Sequence, residues 1–275
     1  MSLSLQTNVT SLVAQQNLAT NTGSLDNAIT QLTSGFRINK SGDDAAGLAV
    51  ANGFRANVAE LQQGVRNAND GQAILQTIDG GLNNISTILN QLQTLATQSA
   101  TDTFSGSRAT LDQQFQTLLG EIDRQAGNVG LASGGTYNAS LSVFIGGGNT
   151  QTNSQVTINL SGSGNQVDST GLGLNGKKVD NQTDAKASIT AITSAVAALG
   201  LVQGVVGDGE NDLTYAIGLA NSQITNESAA ESNIRDANVA QEAAALTQGQ
   251  VLQQSSVAAL AQANSEPQAL LKLLQ

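Results

Sequence analysis

Two groups of carboxylates and one run of glycines are the residues in this 275-residue chain whose spacing suggests chemistry. Asp43 and Asp44 stand side by side, and Asp208, Glu210 and Asp212 recur at alternate positions, as the oxygen ligands of a calcium loop do. The second group lacks the rest of such a loop and its closing bidentate Glu, so helix capping or a solvated turn is the simpler reading. A run such as Gly146, Gly147 and Gly148 can cradle a phosphate on its N–H groups, but no Lys-Ser/Thr pair and no helix start follow it. A flexible hairpin turn explains them as well. There is no cysteine and no histidine, which removes disulfides, thiolate nucleophiles, His-dependent triads and the commonest transition-metal ligand together. The expectation is a protein with no catalytic residues, no cofactor and no metal.

Composition narrows the partners. A formal net charge of -10 and a pI near 4.2 oppose binding to nucleic acid or an anionic membrane, because either needs a surplus of Lys and Arg to displace counterions. Charged residues are only 12%, and Asp26 is the only one among the first 36. Solubility therefore rests on Asn, Gln, Ser and Thr, and with 3% aromatics the core must be packed by small aliphatics. Met1 to Leu12 has neither a basic start nor an apolar core of roughly 7 to 15 residues, so it does not read as a secretory signal. No window approaches about 18 apolar residues, so no membrane insertion is expected. Export, if it occurs, takes another route.

The elements that would position these residues are helical. From Val58 to Ala96 apolar side chains recur at steps of three or four: Val58, Leu61, Val65, Ala68, Leu75, Ile78, Leu82, Ile85, Leu89, Leu92 and Ala96, with Gln72 in one slot. Gly71, Gly80 and Gly81 weaken this helix, each by about 1 kcal/mol against Ala. A second stripe holds Leu111, Phe115, Leu118 and Ile122, and a third Leu213, Ile217, Ala220, Ile224 and Ile234. Three facing stripes make a bundle. Its expected core comprises Val58, Leu61, Val65, Leu75, Leu82, Leu89, Leu92, Leu118, Ile122, Ile217 and Ile224.

Between Gly127 and Gly176 lie 12 of the 29 glycines, which forbids continuous helix there. Two alternating runs within it, Leu141, Val143, Ile145 and Val156, Ile158, Leu160, predict a β-hairpin at about 141–160 with a long turn, followed by a short loop region, 161–183. Helix resumes over Ser188 to Leu199, and Gly204 to Asn211 is expected to interrupt it. Pro267 fits either the first turn of a short final helix or a kink. Ser41 to Asp44 has capping-box spacing, with Asp43 or Asp44 complementing a helix start, and Ser232 to Asp236 offers a counterpart.

The two ends read as strands of one coiled coil. Leu5, Leu12, Leu18, Leu25, Ile29, Leu32 and Phe36 are spaced by multiples or halves of a heptad. Val239, Leu246 and Leu260 share one heptad position with Gln253, and Ala243 and Val257 take its partner. A nearly uncharged seam running to both termini exceeds what one chain needs to fold, so it predicts assembly between chains. Its packing residues are expected to be Leu5, Leu12, Leu18, Leu25, Leu32, Leu246, Val257, Leu260, Leu270 and Leu273. Amides at core-spaced positions, Gln72, Gln250, Gln253 and Asn264, are either solvent-facing or buried polar groups that fix register. The fold class is thus mainly α: long coiled-coil-like helices from both termini (1–42 and 235–275) plus a helical domain (43–234) carrying the small hairpin.

The residues also resemble a family, bacterial flagellin, over nearly the full length. Thr7-Asn8-Val9, Ser11-Leu12, Ala14-Gln15 and Asn17-Leu18 are similar to its opening. Leu32, Ser34-Gly35, Arg37-Ile38-Asn39 and Asp43-Asp44-Ala45-Ala46-Gly47 resemble its most recognisable block, followed by Arg66 to Gly71 and Glu121-Ile122-Asp123-Arg124. Ile234-Arg235-Asp236-Ala237, Leu252-Gln253-Gln254, Leu260 to Asn264 and Pro267 to Leu274 resemble its C-terminal half. The resemblance implies a self-polymerising structural subunit of the extracellular flagellar filament, serving motility and exported unfolded by a type III system. It implies a short form without outer variable domains. It also implies an export chaperone, a filament cap and hook-junction proteins as partners, and host or plant immune receptors as possible ones, with no nucleic acid and no membrane insertion. Asn238 stands where the family usually has an acid, and Gly42 where Lys often precedes Asp43. Gln31 to Ala51, with Asp43 and Asp44, resembles the peptide sensed by plant receptors. The positions matching the animal receptor's Arg, Leu and Glu contacts are Gln91, Leu95 and Gln114, both charges gone, which implies weak stimulation. A hook-filament junction protein, or a secreted adhesin or effector of the same architecture, is the alternative; a metal-dependent enzyme is the weakest.

Overall fold

The computed structural model describes residues 7–147, 154–161 and 164–273, the last eight by backbone alone. Its elements are α1 (Val9–Ser34), α2 (Ala45–Ala100), α3 (Arg108–Asn128), β1 (Ser140–Phe144), β2 (Gln155–Asn159), α4 (Gln182–Arg235) and α5 (Val239–Leu273). This is the mainly α fold with one antiparallel hairpin that periodicity predicts.

Side-chain caps set most of the helix starts. Asn8 accepts from the Ser11 N–H at 3.0 Å, Asp44 from Gly47 at 2.8 Å, Asn181 from Asp184 at 2.9 Å, and Asn238 from Ala240 at 3.2 Å. Each satisfies a donor that the first turn leaves without a carbonyl. Gly35, at φ 75, ends α1 in the left-handed conformation that needs no Cβ and returns its N–H to Gln31. The capping box at Ser41–Asp44 takes another form. Asp44 does the capping, while Asp43 turns back to accept from Asn39 and Lys40, each at 2.9 Å.

Two compact units emerge: a terminal one, Met1–Ala56 with Asn226–Gln275, and a middle one, Asn57–Thr225. The division falls inside α2 and α4, where the expectation put it near 43 and 235, at the ends of those helices. The middle unit is held by a stripe on each helix. Leu75, Ile78, Leu82, Ile85, Leu89 and Leu92 of α2, Phe115 and Ile122 of α3, and Ile192, Leu199, Val202 and Leu213 of α4 are fully enclosed. Among the expected core residues, Leu61, Leu75, Leu82, Leu89, Leu92 and Ile122 are buried. Val58, Val65, Leu118, Ile217 and Ile224 are half-buried. On α3 it is Leu119, beside Leu118, that is buried.

The hairpin pairs Leu141 with Ile158 and Val143 with Val156, and buries Val143 and Ile158 in the same core. Gly146 and Gly147, at φ 116 and 102, carry the chain out of β1; Gly148 and most of the turn lie outside the described residues. The segment expected to be plain loop, 161–183, also feeds the core through Val167, Leu172, Leu174 and Val179.

Two expectations need correction. Gly204 to Asn211 does not interrupt helix: α4 runs through it unbroken. Val202 and Leu213 are buried on either side and Val206 within it, and tertiary packing of this kind outweighs the weak helix preference of glycine. Pro267 begins no separate helix, because the backbone of α5 continues across it to Leu273, which leaves the kink of the two readings. Apolar runs stay short of about 18 residues, although the averaged hydropathy of one helix is high. α4 is the one helix among the described residues long and apolar enough to cross a membrane, with an 18-residue window of mean hydropathy 1.9, 28% of it buried. Its Thr, Ser and Gln break the runs but scarcely lower the mean.

The glycines of the long helices are contact points for the hairpin. A Cβ on Gly64 would run into the Ile145 carbonyl, one on Gly71 would lie 2.9 Å from Val143 Cγ2, and one on Gly209 2.9 Å from Ile158 Cδ1. A Cβ on Gly80, by contrast, meets nothing within 4 Å. Gly80→Ala should therefore stabilise the protein by about 1 kcal/mol through helix preference alone, while Gly64→Ala should destabilise it by about 1–3 kcal/mol through overpacking. Urea unfolding of the two variants measures the contrast; shifts of the same sign would contradict it.

Candidate functional site

The carboxylates first singled out do not converge. Asp208, Glu210 and Asp212 lie on one unbroken helix, where alternate residues project about 200° apart. Among the described residues no three His, Cys, Asp or Glu side chains could share a metal ion. Asp43 is fully occupied by its turn, and the Lys40 N–H, followed by that of Asn39, holds its carboxyl below the ordinary value. Glu121 of the Glu-Ile-Asp-Arg block is lowered to about 2 by Arg124, with Gln125 adding to the effect. The rest of that block is structural: Ile122 is buried, and Asp123 accepts from the Ser169 N–H at 2.7 Å and its hydroxyl at 3.0 Å. Asp112 takes the Val179 N–H at 2.8 Å in the same way, so α3 fastens the segment that follows the hairpin.

The surface with something left to do belongs to the terminal unit, where α1 packs along α5. The two helices are stitched by small and polar groups. Asn8 Nδ2 donates to the Ala263 carbonyl at 2.8 Å, the Ser11 hydroxyl to Asn264 Oδ1 at 2.8 Å, and Asn21 Nδ2 to Ser256 Oγ at 2.9 Å. Leu25 Cδ1 would lie 3.1 Å from a Cβ on Gly249, so this glycine makes room for that leucine. On these helices Ser11, Ala28 and Ala263 are buried, all three small. Several of the large aliphatics point away. Val9 is 62% exposed, Leu12 55%, Val13 55%, Val251 61% and Val257 52%.

Of the expected seam, then, Leu12 and Val257 are exposed, and Leu18, Leu25, Leu32, Leu246 and Leu260 are half-buried. Leu5 and the side chains of Leu270 and Leu273 lie outside the described residues. The amides divide: Gln250 is exposed, while Gln253 and Gln72 are half-buried, and Asn264 accepts the Ser11 bond across the pair. A groove of about 340 Å³ runs between the helices, lined by Val13, Ala14 and Asn17 of α1 and Ser256, Ala259 and Gln262 of α5 among others.

One joint in this unit was not anticipated. Phe36 and Asp236 form an antiparallel bridge, and the Arg235 guanidinium stacks 4.0 Å from the centroid of the Phe36 ring, a favourable cation–π arrangement. The Arg37 N–H donates to the Arg235 carbonyl at 2.7 Å and Ala237 returns a bond to Gly35 at 2.9 Å. The two sequence blocks 34–39 and 234–237 are therefore two sides of one clamp. Only their similarity to a family pattern marked them in the sequence, since a pairing across so long a loop leaves no periodicity.

In the middle unit, α2 and α3 enclose a groove of about 510 Å³ lined by Gln91, Thr94, Leu95, Gln114, Thr117 and Leu118. The structure thus brings together the three positions Gln91, Leu95 and Gln114, with no ionisable side chain among the lining residues. Asp43 and Asp44 belong to the terminal unit.

Comparison with known proteins matches residues 5–130 to the bacterial flagellin N-terminal helical region and residues 189–274 to the C-terminal helical region. A flagellin of Halalkalibacterium halodurans is 33% identical over 274 residues, 98% of each chain. One of Listeria innocua is 31% identical over 290 residues, 99% of each. A flagellin of Escherichia coli is 37% identical over 180 residues, which are 64% of this chain and 35% of that longer one.

Proposed function

Because this chain belongs to the bacterial flagellin family, which is structural and not enzymatic, we propose that it polymerises with copies of itself into the flagellar filament outside the cell and serves motility. Its route out is the flagellar type III system, through which it passes unfolded. The observation that carries the reading is the face of α1 and α5. Val9, Leu12, Val13, Val251 and Val257 are all more than half exposed, on helices that carry almost no charge. Fully burying a Val or Leu is worth about 1.5–3 kcal/mol, so several such residues against several neighbours can offset the roughly 4–15 kcal/mol that association costs. A formal net charge of -10 makes copies repel, and approach through nearly uncharged helices avoids that penalty. Residues 1–42 and 235–275 supply this seam and 43–234 form a separate helical domain carrying the hairpin, with Leu5, Leu12, Leu18, Leu25, Leu32, Leu246, Val257, Leu260, Leu270 and Leu273 as the packing side chains.

The same apolar face explains the other partners of this reading. An export chaperone would cover it before assembly, and cap and hook-junction proteins would meet it at the two ends of a filament. Deleting Gln250 to Gln275 should abolish polymerisation while the middle unit keeps its helical circular dichroism and its cooperative melt; filaments of ordinary form from the truncated protein would overturn the assignment.

We also read the Gln91, Leu95 and Gln114 groove as a weak contact for the animal flagellin receptor, since amides in place of charges forfeit the strong charge-assisted bonds. Reporter cells carrying that receptor should respond poorly to this protein. A response equal to that given by the Escherichia coli flagellin would refute this.

A further inference from the structure

Five positions in the chain place Asn or Asp directly before glycine: Asn52-Gly53, Asp70-Gly71, Asp79-Gly80, Asn175-Gly176 and Asp208-Gly209. Such pairs are chemically labile because a glycine offers no side chain to hinder attack by its own backbone nitrogen on the preceding carbonyl group. Four of the five lie inside α2 or α4. There the glycine N–H is committed to the carbonyl four residues back, and the fixed helical ψ keeps it away from the side chain.

Asn175-Gly176 is different. The Lys177 N–H donates to the Leu174 carbonyl at 3.1 Å, closing a turn whose second central residue, Gly176, has φ 72 while Asn175 has none of the positive φ values. That is a type II turn. Both central residues are exposed, and a Cβ on Gly176 would meet nothing within 4 Å. No neighbour crowds that point, and turning the peptide plane between the two residues brings the Gly176 nitrogen towards the Asn175 side chain.

We propose that Asn175 is a site of spontaneous modification, in which the Gly176 backbone nitrogen attacks the Asn175 side-chain amide. The new N–C bond closes a five-membered succinimide as the C–N bond to the side-chain nitrogen breaks and ammonia leaves. Water then adds to one of the two ring carbonyls and opens the ring, leaving either aspartate or its backbone-extended isomer, isoaspartate. No oxidant or reductant is involved. The product places a new carboxylate two residues from Lys177 and Lys178 at most three. Isoaspartate also adds a backbone atom to a turn whose flanks are fixed, Leu174 and Val179 both being fully buried and the Lys177 carbonyl accepting from Gln116 at 2.9 Å.

Incubating the purified full chain at mildly alkaline pH, with peptide mapping by fragmentation mass spectrometry and an isoaspartate assay, tests the assignment. Conversion at Asn175 should exceed that at Asn52 by on the order of tenfold or more, because reaction at Asn52 waits for local opening of the helix. Asn175→Gln, which can only form a larger and slower ring, should remove the isoaspartate signal without changing the melt. Comparable conversion at Asn52, or an Asn175 that stays intact while the other asparagines change, would overturn the proposal.

Discussion

The pairing of α1 with α5 is the contact on which the rest depends, and it is closed by the wrong residues for a self-sufficient coiled coil. Hydroxyls and amides, Asn8, Ser11, Asn21, Ser256 and Asn264, hold the helices together, and Ala28 and Ala263 fill the space between. Neutral hydrogen bonds contribute about 1 kcal/mol each, enough to set register and orientation. They leave Leu12, Val13, Val251 and Val257 facing out. Those four aliphatics are apolar area still to be buried, and under the proposed function contact with other chains would bury it.

The clamp at Phe36, Arg37 and Arg235 makes that arrangement possible. It ties the end of α1 to the end of α4, so that α5 starts beside the helix it must follow. Asn238 then starts α5 with a side-chain cap, and Asn serves there about as well as the acid it replaces. In the middle unit the hairpin lies against Gly64, Gly71 and Gly209, whose missing side chains let its backbone and its Val143 and Ile158 reach the helices. Both units therefore use small residues to bring elements close, in a chain with few aromatics to fill wider gaps.

The parts legible in the sequence are those with a period. The stripe from Leu61 to Leu92 declared its helix and its buried face, and the alternation at Leu141 to Ile145 and Val156 to Leu160 declared the hairpin. The continuity of α4 through Gly204 to Asn211 was hidden, because Gly209 looks like a helix breaker until Ile158 is placed against it. Val167, Leu172, Leu174 and Val179 were hidden too: Val179 is held by Asp112, Val167 by the Leu131 carbonyl, and Leu172 and Leu174 by the carbonyls of Asp168 and Ser169, and single anchors of this kind make no pattern. On the seam, heptad spacing found the right helices. It did not tell which apolar residues would face the partner helix and which would face away, because the polar stitching that decides this spans about 250 residues of sequence.

The central claim is that the outward aliphatics of α1 and α5 are an assembly surface. The most direct measurement is elongation of short filament seeds by the purified intact chain, followed by electron microscopy and light scattering beside the Val257→Asp variant. Val257 is 52% exposed, so the substitution leaves the monomer's fold and melt unchanged while placing a charge in the seam. The account predicts long uniform filaments from the intact chain and none from the variant. An intact chain that stays monomeric on the seeds, or a variant that elongates them equally well, would contradict it.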